Sequence, residues 1–300
     1  MSGAAVDRAA LGVALGAALG RPVRALRPVP GGDLNEAFLA EGDGGARCFV
    51  KSARDARPGA YAAEAAGLRW LADAGALPVP AVLAVGEPDG QGPPFLALEW
   101  VDPGRARPST AERLGRGLAA LHAAGAPSFG SGSPQLLLGP LALPDAPAPD
   151  WPTFLLERRL APLVRLAVAR GALDPAATAL LERLAERLPE LAGPPEPPAR
   201  LHGDLWVGNV HVDRDGAPWL VDPAAHGGHR EVDLAMLRLF GSGYGPGSAF
   251  RAAYEERAPL AAGAEDRVAL WQLAPLLLHA ALFGGGYGDR ALATLRRYAA

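Results

Sequence analysis

The 300-residue chain contains no isoleucine, one lysine (Lys51), one cysteine (Cys48) and two asparagines (Asn35 and Asn209). Each scarcity excludes something. A single cysteine excludes an internal disulfide and any cysteine-based zinc site, and it suits a reducing compartment. No apolar run reaches the roughly 18 uninterrupted residues of a spanning helix, and residues 1–20 lack a basic start followed by a cleavage-like site. The expectation is therefore a cytoplasmic protein with no membrane association. A net charge of −3 and a pI near 6.1 leave no basic footprint, so nucleic acid is not an expected partner. At 49% hydrophobic residues the chain can bury a sizeable core, which excludes a disordered chain.

The shortage of Lys, Asn and Ile reads as pressure from GC-rich coding, since all but one of the 29 basic residues are arginine. Survivors then mark places where substitutes fail. Arginine cannot replace lysine where a compact ammonium must sit against phosphate oxygens, because the guanidinium is larger, planar and forked.

The densest chemistry lies in residues 201–222, LHGDLWVGNVHVDRDGAPWLVD. Asp204, an amide five residues on (Asn209) and a second carboxylate (Asp222) flank a short hairpin, the arrangement that kinase-type phosphoryl transfer uses. Asp204 is the candidate group that orients an acceptor hydroxyl and takes its proton. Asn209 and Asp222 are the candidate Mg²⁺ ligands, being hard oxygen donors that share the ion with phosphates. Asp213 and Asp215, in DRDG, read as turn residues of the hairpin.

The remaining pattern is consistent with that chemistry. Val6–Leu19 reads as a helix and Pro28–Glu36 as a Gly-containing turn, whose Gly31 and Gly32 can bring backbone N–H groups over phosphates. Residues 37–39 and 47–51 read as strands around the turn GDGG, with Phe49 and Lys51 on one face and Cys48 and Val50 on the other. Helical spacing over 59–74 puts Glu64, Leu68 and Leu71 on one inward face, where Glu64 can pair with Lys51. FLALEWV is a short strand ahead of the connector DPGRARPS, and Glu99, Trp100 and Val101 there would offer backbone groups to adenine. The predicted fold class is therefore α+β, a two-lobed arrangement with an antiparallel-sheet lobe over residues 1–101 and a mostly helical lobe over 102–300. Helices are predicted at 109–123, 151–170, 175–190, 231–240 and from 264 onward. Gly125–Asp150, rich in Pro and Gly, is a long excursion expected to pack on the helical lobe. His202 reads as a brace for the Asp204 loop, His122 as a satisfied helix histidine, and Asp233 and Glu231 as loop-bracing or capping groups. His279, followed by a triple-glycine turn, is a candidate to face the cleft.

These segments resemble a known family. HGDLWVGN (202–209), GHREVDLAM (228–236), DWPTFLLERRLAP (150–162) and ALFGGGY (281–287) are similar to the fructosamine kinase, or ketosamine 3-kinase, family. That family is a branch of the aminoglycoside phosphotransferase and choline kinase-like fold. The resemblance implies ATP-dependent phosphorylation of the 3-hydroxyl of a ketosamine, free or protein-bound, a deglycation step. It implies Asp204 as proton acceptor, Asn209 and Asp222 as magnesium ligands, and Lys51 with Glu64 as the ATP-positioning pair. It also implies that Trp206 stacks on the sugar or lines its pocket. Asp33 stands where many members carry a cysteine, and Ala225 and His226 stand where relatives have aromatic residues. A kinase for another small hydroxylated amine, such as an aminoglycoside or a choline-like alcohol, and a nucleotide-binding pseudokinase remain the alternative readings. The sequence sets no oligomeric state.

Overall fold

Alternation along RCFVKS decides how the sheet is sandwiched. The computed structural model describes residues 5–30, 35–88, 92–241 and 243–300. Helix α1 (Arg8–Leu19) is capped by Asp7, whose carboxylate accepts the N–H groups of Ala9 and Ala10 at 3.0 and 3.1 Å. Strands β1 (Val23–Val29), β2 (Glu36–Gly42), β3 (Arg47–Ser52), β4 (Val82–Gly86) and β5 (Phe95–Glu99) form an antiparallel sheet in the order β1-β2-β3-β5-β4. Helix α2 (Ala60–Ala72) falls between β3 and β4 in the chain. Cys48 and Val50 pack with Leu11 and Leu15 of α1 on one face of the sheet. Phe49 packs with Tyr61, Ala65 and Leu68 of α2 on the other, which is also the face that carries Lys51.

The edge strands β1 and β4 are additions to the sequence reading, which placed strands at 37–39, 47–51 and FLALEWV alone. Neither edge shows clean alternation, with burial in β1 running from half-buried to exposed without a period of two. Pro28 sits within β1, and an edge is where a residue without an N–H interrupts least pairing.

The connector after β5 leads to α3 (Pro108–Ala123), the hairpin β6 (Gln135–Leu138) and β7 (Leu141–Pro144), and then α4 (Trp151–Phe154). Helix α4 runs through a π-helical turn (Leu155–Leu160) into α5 (Ala161–Ala169), followed by α6 (Ala177–Leu191). Short strands β8 (Ala199–Leu201), β9 (Val210–Val212), β10 (Pro218–Leu220) and β11 (His226–Gly228) flank the loops that contain Asp204, Asn209 and Asp222. The chain then folds into α7 (Glu231–Phe240), α8 (Ala249–Arg257), α9 (Ala264–Trp271), α10 (Leu273–Phe283) and α11 (Tyr287–Tyr298). Helix α8 is a further addition to the sequence reading.

Phe154, Leu160, Leu184, Trp271, Leu277 and Leu295 centre one core. A second core joins Leu114 and Leu118 of α3 to Phe250 and Tyr254 of α8 and to Leu205 and Leu234. A Cβ on Gly115 would lie 2.3 Å from the Phe250 carbonyl, so α3 and α8 approach at a distance only glycine permits. The 125–150 excursion packs on this region as expected: Leu143 joins the first core, and the fully buried Asp145 pairs with Arg159. Its tip also reaches the sheet side, where Arg57 donates to the Pro140 carbonyl at 3.2 Å. No helix among the described residues is long and apolar enough to cross a membrane.

Candidate active site

Strand β8 pairs antiparallel with β11, Leu201 opposite His226, and so delivers His202-Gly203-Asp204 to the end of a buried ladder. Gly203 has φ +81°, and a Cβ there would lie 2.1 Å from the Ala224 carbonyl oxygen, so the turn admits only glycine. Asp233, buried at the start of α7, accepts the N–H groups of His202 (2.8 Å) and Gly203 (3.0 Å). Its carboxylate is also 3.3 Å from His122 Nε2, whose Nδ1 is 2.8 Å from the Tyr254 hydroxyl. Asp233 is therefore the loop brace, and His122 is the satisfied helix histidine. Within the loop, His202 Nε2–H donates to the Val221 carbonyl (2.9 Å), while Nδ1 accepts the Asp204 N–H (3.3 Å). These partners select one tautomer, and burial lowers the ring's pKa, which keeps it neutral.

Asn209 ties the two aspartates together, through the carboxylate of Asp204 and the backbone carbonyl of Asp222. Its Nδ2 donates to the Asp204 carbonyl (2.9 Å) and carboxylate (3.2 Å) and lies 3.4 Å from the Asp222 carbonyl. That usage leaves Oδ1 as an acceptor. Asp222 has φ +53°, the one non-glycine residue at positive φ among the described residues. Such backbone strain is held only where surrounding contacts over-determine it. Here the Asp222 carboxylate meets Lys51 Nζ at 2.9 Å. The two carboxyl groups are driven apart in acidity. Burial, with the charge of Asp222 adding to it, raises Asp204 to about 6 against the opposing Asn209 bond. Burial would also raise Asp222, but the Lys51 ammonium outweighs it and holds that carboxyl below its usual range.

Lys51 is 5% exposed and is paired with both Glu64 and Asp222. Burial alone would lower its pKa, and the two carboxylates reverse this and keep it protonated. Burial raises Glu64 to about 7 despite Lys51, and its Oε1 is a buried oxygen without a partner. Helix α2 rests on the chain just past Asp222, where a Cβ on Gly67 would meet the Ala225 Cβ at 3.2 Å. Glu64, Lys51, Asp222, Asn209 and Asp204 thus form one continuous line of contacts between the sheet and the loops of β8–β10.

The other candidates are placed as follows. Gly31 and Gly32 lie outside the described residues. At the junction, Glu99 is exposed and its carboxylate accepts the Ala81 N–H (3.2 Å), while Trp100 Nε1 donates to Asp102 (2.8 Å). The Val101 carbonyl is 3.1 Å from His211 Nε2, and Gly104 N–H donates to the Val212 carbonyl at 2.8 Å. The junction is therefore stitched to the β9–β10 hairpin, and the ring of His211 engages one of the two Val101 backbone groups expected to face adenine. Asp213 is a turn residue, accepting the N–H groups of Asp215 (2.9 Å) and Ala217 (2.8 Å). Glu231 departs from the loop-bracing reading: it accepts from Arg267 at 2.6 and 2.9 Å and from Trp271 at 2.8 Å, inside the helical core. Trp206 and His279 stand apart from the line, joined through Phe240, with ring centroids 6.2 and 4.9 Å from it. Sequence reasoning missed Phe240, Tyr254 and the His122 link, none of which carries a local motif. A groove of about 870 Å³ between α1 and β1 contains none of these groups.

Among the described residues no set of three or more His, Cys, Asp or Glu side chains converges on a metal position. The Asn209 and Asp222 pair nevertheless fits Mg²⁺. The ion is held by one or two protein oxygens with waters and phosphates, and Asn209 Oδ1 is left as an acceptor.

A buried lysine bound by a helix glutamate, with two aspartates of opposed acidity joined through an amide, defines a phosphotransferase of the protein-kinase-like fold. That fold is shared with an aminoglycoside phosphotransferase in complex with ADP and hygromycin B, at TM-score 0.62 and 19% identity over 96% of this chain and 98% of that one. The chain belongs to the fructosamine kinase family, whose model matches residues 13–300. It is 43% identical to a candidate fructosamine-3-kinase of Thermobifida fusca in a crystal structure that superposes at TM-score 0.86, covering 96% of this chain and 98% of that one. It is 33% identical over 275 residues to the chloroplastic protein-ribulosamine 3-kinase of Arabidopsis thaliana, covering 90% of this chain and 81% of the relative.

Proposed function

We propose that the protein is an ATP- and Mg²⁺-dependent ketosamine 3-kinase, acting on ribulosamine or fructosamine adducts, free or protein-bound. The observation that carries this reading is the unbroken line from Glu64 through Lys51, Asp222 and Asn209 to Asp204, in a chain with a single lysine. We assign residues 1–101 to a nucleotide-binding lobe and 102–300 to the lobe that holds the acceptor, with adenine between them at 99–101. The lone buried thiol of Cys48 supports a reducing, cytoplasmic setting, and the acidic net charge argues against nucleic acid as a partner.

In this mechanism Asp204 accepts a hydrogen bond from the ketosamine 3-hydroxyl and takes its proton as the new P–O bond forms. The bond from the γ-phosphorus to the β–γ bridging oxygen breaks, and ADP leaves. An Asp204 pKa of about 6 leaves the carboxylate ionised at neutral pH yet basic enough to take a proton late. Lys51 positions the nucleotide phosphates, and Glu64 fixes its ammonium. Asn209 Oδ1 and the Asp222 carboxylate would hold Mg²⁺, whose charge neutralises phosphate oxygens. Asn209 Nδ2 meanwhile keeps Asp204 in place. A phosphate at C3 destabilises the adduct and lets the free amine return. The reading is tested by incubating the enzyme with ATP, Mg²⁺ and a ribulosamine. Equimolar ADP and a sugar phosphate are expected, and ATP loss without an ester would overturn it.

A further inference from the structure

Two residues past Asp204, the indole of Trp206 begins a row of rings that the phosphate-handling groups do not use. Its centroid is 6.2 Å from Phe240 at the end of α7, and Phe240 is 4.9 Å from His279 of α10. His279 is in turn 5.6 Å from Phe283 and 5.1 Å from Tyr287, which closes back on Phe240 at 6.5 Å. A Cβ on Gly208 would lie 2.3 Å from the indole, so the ring lies over that glycine, in space that any side chain there would take.

The row is open to solvent. Trp206, Val207 and Phe283, at 37%, 43% and 51% exposure, are three of the five large hydrophobic residues exposed among the described residues. An exposed apolar patch that begins two residues along the chain from Asp204 marks a ligand surface. Its chemistry is aromatic and without charge. His279 Nδ1–H donates to the Pro275 carbonyl (2.8 Å), which makes Nε2 an acceptor, and burial lowers the ring's pKa and keeps it neutral. The four arginine–ring contacts among the described residues fall elsewhere, on Phe38, Phe154, Trp70 and Tyr298.

We propose that the row Trp206–Phe240–His279–Phe283 is the subsite for the amine side of the acceptor, receiving its protonated secondary amine and the hydrocarbon stem beyond. The inference rests on the ketosamine reading and deepens it. In a ketosamine the amine is attached at C1, two carbons from the hydroxyl that Asp204 serves, so sugar and amine must extend along adjacent groups of the site. Ring faces attract an alkylammonium and bury its methylenes. A polycationic aminoglycoside would need several carboxylates, and the row supplies none. The enzyme is therefore selective for adducts of alkyl or lysine-like amines over adducts of short polar amines.

The test is steady-state kinetics of the full chain with two ribulosamines that share the sugar, one made from n-hexylamine and one from ethanolamine. The hexylamine adduct is expected to show a kcat/KM at least about tenfold higher, the discrimination an apolar pocket gives. Phe283→Ala, at an exposed position, is expected to bring the two within about threefold through the KM of the hexylamine adduct. Free hexylamine is expected to inhibit competitively with the ribulosamine and not with ATP. Equal kcat/KM for the two adducts in the wild type, or an equal loss on both in Phe283→Ala, would overturn the subsite and leave the kinase reading standing. Absence of transfer to either adduct would overturn both.

Discussion

Lys51 and Asp222, 171 residues apart in the chain, meet at 2.9 Å between Nζ and Oδ1, and this contact joins the sheet to the loops that hold Asp204. The same ammonium pairs with Glu64 on α2. One compact charge serves three elements, which is a physical reason why a chain otherwise depleted of lysine keeps this one.

Lys51→Arg is expected to lower kcat/KM for ATP by about 100-fold or more. The forked guanidinium does not fit a 5%-exposed position built around a single ammonium, and displaced phosphate contacts weaken transition-state stabilisation by a comparable factor. Circular dichroism should show the fold retained. Activity within about threefold of wild type would contradict the assignment.

Asp204→Asn is expected to reduce kcat by about 10³-fold, within the range that general acid–base groups contribute. In the nucleotide-free protein the same substitution should raise Tm at pH 8. The sign follows from a carboxyl raised from 3.8 to about 6 on folding: the ionised folded form is disfavoured, by about 2–3 kcal/mol above pH 6. That cost shrinks as pH falls below 6 and is absent only well below the unfolded value of 3.8, so the Tm difference between variant and wild type should vanish near about pH 3. Thermal melts between about pH 3 and pH 8 read both limits. The wild-type kcat/KM for the acceptor should fall tenfold per pH unit below an apparent pKa near 6.

Asp233→Ala is expected to destabilise the protein by about 3 kcal/mol, because it leaves the N–H groups of His202 and Gly203 without an acceptor in a buried site. Loss of kcat with little change in the KM for ATP should accompany it, since the brace holds the Asp204 loop and not Lys51. Urea denaturation and kinetics separate the two effects.

Gly208→Ala is expected to raise the acceptor KM by about tenfold with the KM for ATP unaffected. The new Cβ would occupy the space of the Trp206 indole, 2.3 Å away, and displace the ring while φ at this position stays in the ordinary region. Tryptophan fluorescence reports the displacement independently of turnover.

The five residues that the structure joins in one line of contacts were legible because each carries a local signal: Lys51 ends an alternating strand, Glu64 sits on a helical face, and Asp204, Asn209 and Asp222 bracket a hairpin. The groups behind them were less so. His122 and Tyr254, which back Asp233, come from separate helices, and only the packing of α3 against α8 brings them together; Phe240, which joins Trp206 to His279, comes from a third helix. The edge strands β1 and β4 were not legible because they lack alternation and one contains Pro28. The positive φ of Asp222 is likewise invisible in the sequence, because the following Pro223 argues for extended backbone and only the folded contacts with Lys51 hold the residue elsewhere.

The central claim is tested most directly by ³¹P NMR of a reaction containing the enzyme, ATP, Mg²⁺ and a ribulosamine, with hygromycin B and choline as parallel acceptors. The expected result is one phosphomonoester on the ketosamine C3 oxygen, equimolar with ADP. Phosphate on hygromycin B or choline and none on the ketosamine would contradict it.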